Sequence, residues 1–482
     1  MSYKEFLKRV DENRVIIPKG SFEGMRVDCE IFINREIEKS LEDDSIKQLV
    51  NVSKLPGIVK KSLAMPDIHS GYGFPIGGVA AFDLKTGIIS PGGVGYDINC
   101  GVRCIITGLK RYDLKNCIKE LLTKIFLEVP SGIGSVGSVK LKKNDLKRIV
   151  LKGAFWAVEN GFGDEKDLES IESNGCLEGG EFDCISEDAI ERGISQQGTL
   201  GSGNHFLEID YVSKIYDLDI ANKFGLFENQ IVVMLHTGSR GFGHQICSDY
   251  VSSFSKDLRK KDISLPDKQL VYSYFNSDSG RSYYKAMVGA ANYAFCNREI
   301  IGYMVKKTIL KFFGKSESDL KIELLYDISH NIAKIEEYEI DGVKRKLIVH
   351  RKGATRAFPK GHPELKGIFK ETGQPVLIPG DMLSGGYILV GGEKSVEESF
   401  SSTCHGAGRT LSRKEAIRFS KRTDVFEKIN ESGVFVLSQS NRTIVEEIPQ
   451  AYKNVDDVVK TVQDAKLSFP VAKLLPVGVI KG

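Results

Sequence analysis

The sequence predicts a mixed α/β fold (α/β or α+β) with one central cleft built from glycine-rich loops at strand ends. Three observations point there. Short β-branched apolar runs alternate with stretches of helical spacing along the 482 residues. The 49 glycines gather in short loops rather than in a low-complexity tract, and exceed the usual share of about 7%. Histidines stand in those loops or at strand ends, where α/β proteins gather ligand groups. With 41% hydrophobic residues the chain can bury a large core. No internal repeat, linker or composition break divides it, so residues 1–482 are read as one domain.

In chain order, residues 1–60 read as α/β, with Val15 to Pro18 a short strand and Ser40 to Val52 an amphipathic helix. Met65 to His69 and Gly71 to Gly78 read as loop, followed by the strand Val79 to Leu84. Pro91 to Arg103 is a glycine-rich loop around Asp97 and Cys100. Leu114 to Leu127 reads as helix and Pro130 to Gly137 as loop. Asp164 to Glu191 is acidic, whereas His350 to Lys366 is basic. Thr199 to Glu208 is a glycine loop running into a strand. Ile231 to Leu235 is a strand with His236 at its end, before a loop from Thr237 to Gly243. Ala286 to Phe313 reads as long helical segments with Lys306, Lys307 and Lys311 on a polar face. Leu324 to Ile328, Leu347 to His350, Pro375 to Pro379, Tyr387 to Val390 and Gly433 to Leu437 complete the strands.

Composition narrows the function classes. No 18-residue apolar run predicts a membrane-spanning helix, and the charged start Met1 to Glu5 lacks a signal-peptide core. Nine scattered cysteines do not form a disulfide framework and fit a reducing cytosol. A net charge of +3 neither demands nor excludes nucleic acid.

The chemistry concentrates in two places. In Ser401 to Arg409 one imidazole, His405, sits among glycines that let backbone N–H groups approach an anion. Arg409 and Arg413 add positive charge. His405 is read as a nucleophile or phosphate ligand; the alternative is a turn with a solvent-facing histidine. Elsewhere Asp97, Cys100, His205, His236 and His330 combine a carboxylate, a thiol and imidazoles, the donor set of a transition-metal site. The spacing Asp97-x-x-Cys100 allows both to reach one centre, and a thiolate can bridge two ions. The alternative is histidines bonded to backbone and an inert buried cysteine. Donor chemistry alone favours zinc over manganese at such a site.

These segments resemble the RtcB family of RNA-splicing ligases. The resemblance rests on Gly95 to Arg103, Gly201 to Glu208, His236 to Gly241, Asp327 to Lys334, His350 to Arg356, Cys404 to Arg409 and the terminal Lys481-Gly482, in one order over nearly the whole chain. It implies a GTP- and manganese-dependent ligase that joins RNA 3′-phosphate or 2′,3′-cyclic phosphate ends to 5′-hydroxyl ends. In that reading His405 attacks the α-phosphate of GTP and carries GMP to the RNA 3′-phosphate. Asp97, Cys100, His205, His236 and His330 bind two Mn²⁺, with Cys100 shared. Asn204, Glu208, Asp381, Gly406, Ala407, Gly408, Tyr452 and Lys481 hold the nucleotide. Asp67, Arg192, Arg240, Lys352, Arg409 and Arg413 line the phosphate and RNA path. An archease-type activating protein is the implied partner, and the implied compartment is the cytoplasm.

The chain departs from the family pattern at Pro379 to Tyr387. Leu383 stands where a glycine is usual, and Gly386 where a nucleotide-contacting serine is expected. Glu447-Ile448-Pro449 replaces the common Glu-Ala-Pro before Tyr452. The altered 383–386 segment supports a second reading, a metal-dependent phosphoesterase that processes RNA ends without joining them. A binding protein without catalysis would need no nucleophile.

Overall fold

Along the chain, one large sheet passes into the other at His330. Glu323–Ser329 is the edge strand of one sheet and Asn331–Ile340 the edge strand of the other, so only His330 lies between them. The computed structural model describes residues 2–422 and 425–482.

The first sheet runs in the order Lys8–Asp11, Arg14–Ile17, Asp28–Phe32, Ile58–His69, Ile76–Asp83, Val343–Lys352, Asn331–Ile340. Its pairs are antiparallel except for Asp28–Phe32 with Ile58–His69. The second runs Glu323–Ser329, Gly101–Lys110, Gln230–Thr237, Phe206–Ile215, Ser468–Lys481, Gly386–Gly391, Pro375–Pro379, with Phe435–Ser438 added in parallel to Ser468–Lys481. A two-stranded ribbon, Ala354–Arg356 with Ser402–Cys404, leads directly into His405. The mixture of sheets and helices is the α/β class expected.

Helix Asp278–Phe313 is continuous over 36 residues, roughly 54 Å at 1.5 Å per residue. Residues Ala286 to Gly302 along it are buried on all sides. It packs on helices Lys143–Lys152, Ala154–Glu159 and Arg240–Lys260 and on the second sheet. A helix buried on all sides must pair its own polar groups, and Asn292, Asn297, Arg298 and Glu299 all do so with neighbouring segments.

Several local expectations are corrected. Met65 to His69 is not loop but the end of strand Ile58–His69. Pro66 is tolerated there because the pairing register shifts between Ala64 and His69. Gly77 and Gly78 belong to strand Ile76–Asp83. The loop after His236 is shorter than read, since helix Arg240–Lys260 begins within it. Lys306 is not on a solvated face: it is buried, with Nζ 2.6 Å from Asp164 and 2.7 Å from Glu317. Lys307 and Lys311 are exposed, as expected. The predicted amphipathic helix starts later, at Asp43, and the Leu114 segment becomes helical from Ile118. All nine cysteines are free. Among the described residues, no helix is long and apolar enough to cross a membrane.

Candidate metal centre and nucleophile

The five expected ligands converge. Gly101–Lys110 and Gln230–Thr237 pair so that Val102 faces His236, which brings the Asp97 to Cys100 loop beside the end of the neighbouring strand. Phe206–Ile215 pairs with the same strand from the other side and places His205 next to it. His330 arrives from the sheet junction, its backbone N–H donating to Cys100 O at 2.9 Å. Cys100 Sγ lies 3.4 Å from His205 Nε2 and 3.1 Å from His236 Nε2. His205 Nε2 is 2.7 Å from Asp97 Oδ2, and His236 Nε2 is 3.2 Å from His330 Nε2.

Two ligand groups result, Asp97–Cys100–His205 and Cys100–His236–His330, with Cys100 in both. Ligand atoms roughly 3 Å apart match donors sharing an ion at bond lengths of about 2.0–2.3 Å. Among the described residues, buried Asp97 Oδ1 has no hydrogen-bond partner. Burial favours a neutral carboxyl, but His205 and Arg240 hold Asp97 well below the usual carboxylate range. Burial, and then Asp97, push the Cys100 thiol up. A bound cation would relieve that cost by stabilising the thiolate. The donor set therefore fits a metal, and the loop fits it tightly: a Cβ on Gly238 would lie 2.4 Å from Asp97 Oδ1.

Sequence reading missed what holds these loops. The Arg298 guanidinium is fully buried. It donates to Asn99 O at 2.7 Å and Thr237 O at 3.1 Å, the neighbours of Cys100 and His236, and to the Asp327 carboxylate at 2.9 Å. Asn297 accepts from Gly198 N at 2.7 Å and donates to Gly238 O at 3.3 Å. Ligating loops are thus fixed from behind by two consecutive residues of the long helix. Asn331 Nδ2 donates to Asp97 O at 3.2 Å, and Gly353 N to Asn331 Oδ1 at 2.8 Å.

His405 stands beside this cluster, its ring centroid 4.8 Å from that of His330. Asp67 was read as lining the phosphate path. It is instead fully buried, and its Oδ2 accepts from His405 N at 2.9 Å and lies 2.6 Å from His405 Nδ1. A carboxylate on Nδ1 fixes the ring and leaves Nε2 with the free lone pair. Lys453 supports the pair from below by donating to Pro66 O and Ile68 O. Burial pushes the Lys453 ammonium down to about 8 while Asp67 opposes that shift. Gly408 must be glycine: φ is +74° and a Cβ would lie 2.3 Å from Asp67 O.

A cleft of about 570 Å³ opens over these groups. Asn204, Gly406, Ala407, Gly408, Tyr452 and Lys481 line it, as do Lys352, Arg409 and Arg413. Glu208 is buried in the strand paired with Ser468–Lys481. Burial, opposed by Lys481, pushes its carboxyl up to about 7.

Three further expectations change. Arg409 does not present a free fork: it donates to Glu447 at 2.8 Å, Glu446 O at 2.8 Å, Leu411 O at 3.0 Å and Tyr452 Oη at 3.3 Å. It braces Tyr452. Asp381 turns back on its own loop, accepting from Leu383 N at 2.8 Å and Ser384 Oγ at 2.6 Å. The first charges of the basic stretch from His350 are buried. Arg351 is buried in a forked pair with Glu336 at 2.8 and 2.7 Å, and Arg356 is buried with Glu172 at 3.4 Å. Lys352 reaches the cleft, but its Nζ donates to Tyr72 O at 2.6 Å and Phe74 O at 3.1 Å, and burial pushes it down to about 7. Arg240 sits 3.2 Å from His205 Nδ1, Arg192 is exposed, and Arg413 is half-exposed at 53%.

Residues 48–482 match the family described as tRNA-splicing ligase RtcB. A tRNA-splicing ligase RtcB of Thermococcus kodakarensis is 50% identical over 477 residues, 99% of each chain. That of Archaeoglobus fulgidus is 48% identical over 482 residues, the whole of each chain. That of Nanoarchaeum equitans is 47% identical over 479 residues, 99% of each chain.

Proposed function

The chain belongs to the tRNA-splicing ligase RtcB family, and on that premise we propose that it is a GTP-dependent RNA ligase of tRNA splicing and RNA repair. It joins 3′-phosphate or 2′,3′-cyclic phosphate ends to 5′-hydroxyl ends. The observation that carries this reading is the His405–Asp67 pair beside two ligand groups sharing Cys100. Residues 1–482 act as one ligase domain, in a reducing cytoplasm.

His405 Nε2 attacks the α-phosphorus of GTP. The N–P bond forms, the bridging P–O bond breaks and pyrophosphate leaves. Asp67 holds the Nδ1 proton and stabilises the positive charge that develops on the ring. An oxygen of the RNA 3′-phosphate then attacks the same phosphorus, breaking the N–P bond and freeing His405. A cyclic phosphate end is first opened by water. The 5′-hydroxyl finally attacks the activated 3′-phosphate, releasing GMP. Asn204 and the backbone of Gly406 to Gly408 face the nucleotide phosphates. Glu208, Tyr452 and Lys481 hold guanosine, with Arg409 and Asp381 shaping the loops around it. Arg192 and Arg413 have the exposure to meet RNA phosphates, while Arg240 and Lys352 act from the cleft floor.

The two ligand groups would hold two Mn²⁺, which supply charge neutralisation at the phosphates when bound. The choice of manganese over zinc rests on the family. RNA and GTP are substrates, and an archease-type protein is the activating partner.

The test is labelling. Protein incubated with Mn²⁺ and α-labelled GTP, without RNA, is expected to carry label that is lost in acid and kept in alkali, as a phosphoramidate requires. His405→Ala takes none, yet seals RNA whose 3′-end already bears GMP. Absence of acid-labile label in protein shown to hold Mn²⁺ would overturn the ligase reading in favour of an end-processing phosphoesterase.

Asp67→Asn is expected to slow labelling by about 10³- to 10⁴-fold, the scale seen when the carboxylate behind a catalytic histidine loses its charge. Single-turnover labelling rates measure it, and a change below ten-fold would remove Asp67 from the nucleophile's support.

A further inference from the structure

The cleft wall at Tyr72 and Tyr96 has no part in the reaction set out above. Both side chains are half-buried and line the cleft. Their rings meet edge-on, centroids 5.3 Å apart at 73°. Tyr96 also lies 4.8 Å from the His244 imidazole, inclined at only 33°. His244 is exposed, on the second turn of helix Arg240–Lys260. Three flat rings therefore lead from the cleft to solvent. The middle ring, Tyr96, precedes the candidate ligand Asp97 in sequence. At the outer end runs Arg192, whose Cδ would lie 3.4 Å from a Cβ on Gly241, three residues before His244. Partial burial and the Arg192 charge push His244 below its usual value, against Asp97. The run ends at exposed His244, near Arg192.

We propose that Tyr72, Tyr96 and His244 form a stacking platform for the base of an RNA end entering the metal centre, with Arg192 on an adjoining phosphate. Unpaired nucleotides are held by aromatic stacking combined with positive charge along the backbone. Every base has a flat face, so such a platform accepts ends of any sequence, as a joining enzyme requires. The proposal rests on the RNA reading above.

The probe is RNA carrying 2-aminopurine at its terminal nucleotide, either at the 5′-hydroxyl or at the 3′-phosphate end, with a distal dye reporting binding by anisotropy. With the whole protein, at saturating concentration, stacking should quench 2-aminopurine on at least one of the two strands. His244→Ala and Tyr96→Leu should restore its brightness, and Tyr96→Phe, which keeps the ring, should keep the quench. In joining assays, KM for that strand should rise roughly ten-fold in His244→Ala, more than kcat falls. An end lacking its terminal base should erase the difference between wild type and variant. Bound RNA with equal brightness in all variants, or equal loss on removing the base, overturns the platform and leaves the ligase reading standing. Failure of both strands to bind overturns the RNA reading and the platform with it.

Discussion

Replacing Cys100 with alanine is expected to abolish labelling of His405 while the chain stays folded. Cys100 is the one residue common to both ligand groups, with its sulfur 3.4 and 3.1 Å from two imidazole nitrogens. No neighbouring side chain offers a second thiolate, so its loss degrades both positions at once. The fold has little stake in it. Among the described residues the sulfur's hydrogen-bond partners are side chains, His205 and His236, and removing one atom from a buried site costs about 1 kcal/mol. Bound Mn²⁺ per chain, label per chain and the unfolding midpoint measure the three claims separately. A variant that binds two Mn²⁺ and still takes label would show that the sulfur does not bridge.

Arg298→Leu should have the opposite profile, a large loss of stability followed by loss of the site. Its guanidinium is fully buried and reaches Asp327 at 2.9 Å, Asn99 O at 2.7 Å and Thr237 O at 3.1 Å. Breaking a buried ion pair by removing one partner costs about 3–5 kcal/mol. Asp327 keeps a second partner in Arg103 at 2.8 Å, so the lower end of that range is expected from denaturant unfolding. Arg298→Lys should not restore the wild-type value, because an ammonium cannot span both carbonyls and the carboxylate. In protein that remains folded, metal affinity should drop about 10- to 100-fold, as for other groups that orient metal ligands. Stability within about 0.5 kcal/mol of wild type would mean that the helix does not hold the ligand loops.

Much of the site was legible because it is written in local signals. Each metal ligand and His405 stands in a glycine loop or at a strand end, and such positions are conspicuous in a linear reading. What supports them is not local. Arg298 and Asn297 look like the polar face of a helix until the helix is seen to be buried all round. Asp67 looked like loop because Pro66 precedes it, and the register shift that admits that proline depends on a neighbouring strand. The basic stretch from His350 to Lys366 is the reverse case. Lys352 was placed on the phosphate path, but alternate residues of its strand point into buried layers, where Arg351 finds Glu336. Fold class suffered least, because alternation of strand and helix is itself a local pattern.

The junction at His330 has a mechanical consequence. The two sheets also share a core, in which Leu63, Val79 and Leu347 of the first cluster with Val376, Ile378 and Leu389 of the second. His330 is therefore tied to both halves by chain and by packing. A candidate ligand placed there is clamped between two sheets rather than carried on either, so a change that loosens the shared core should reach the site as readily as one made beside it.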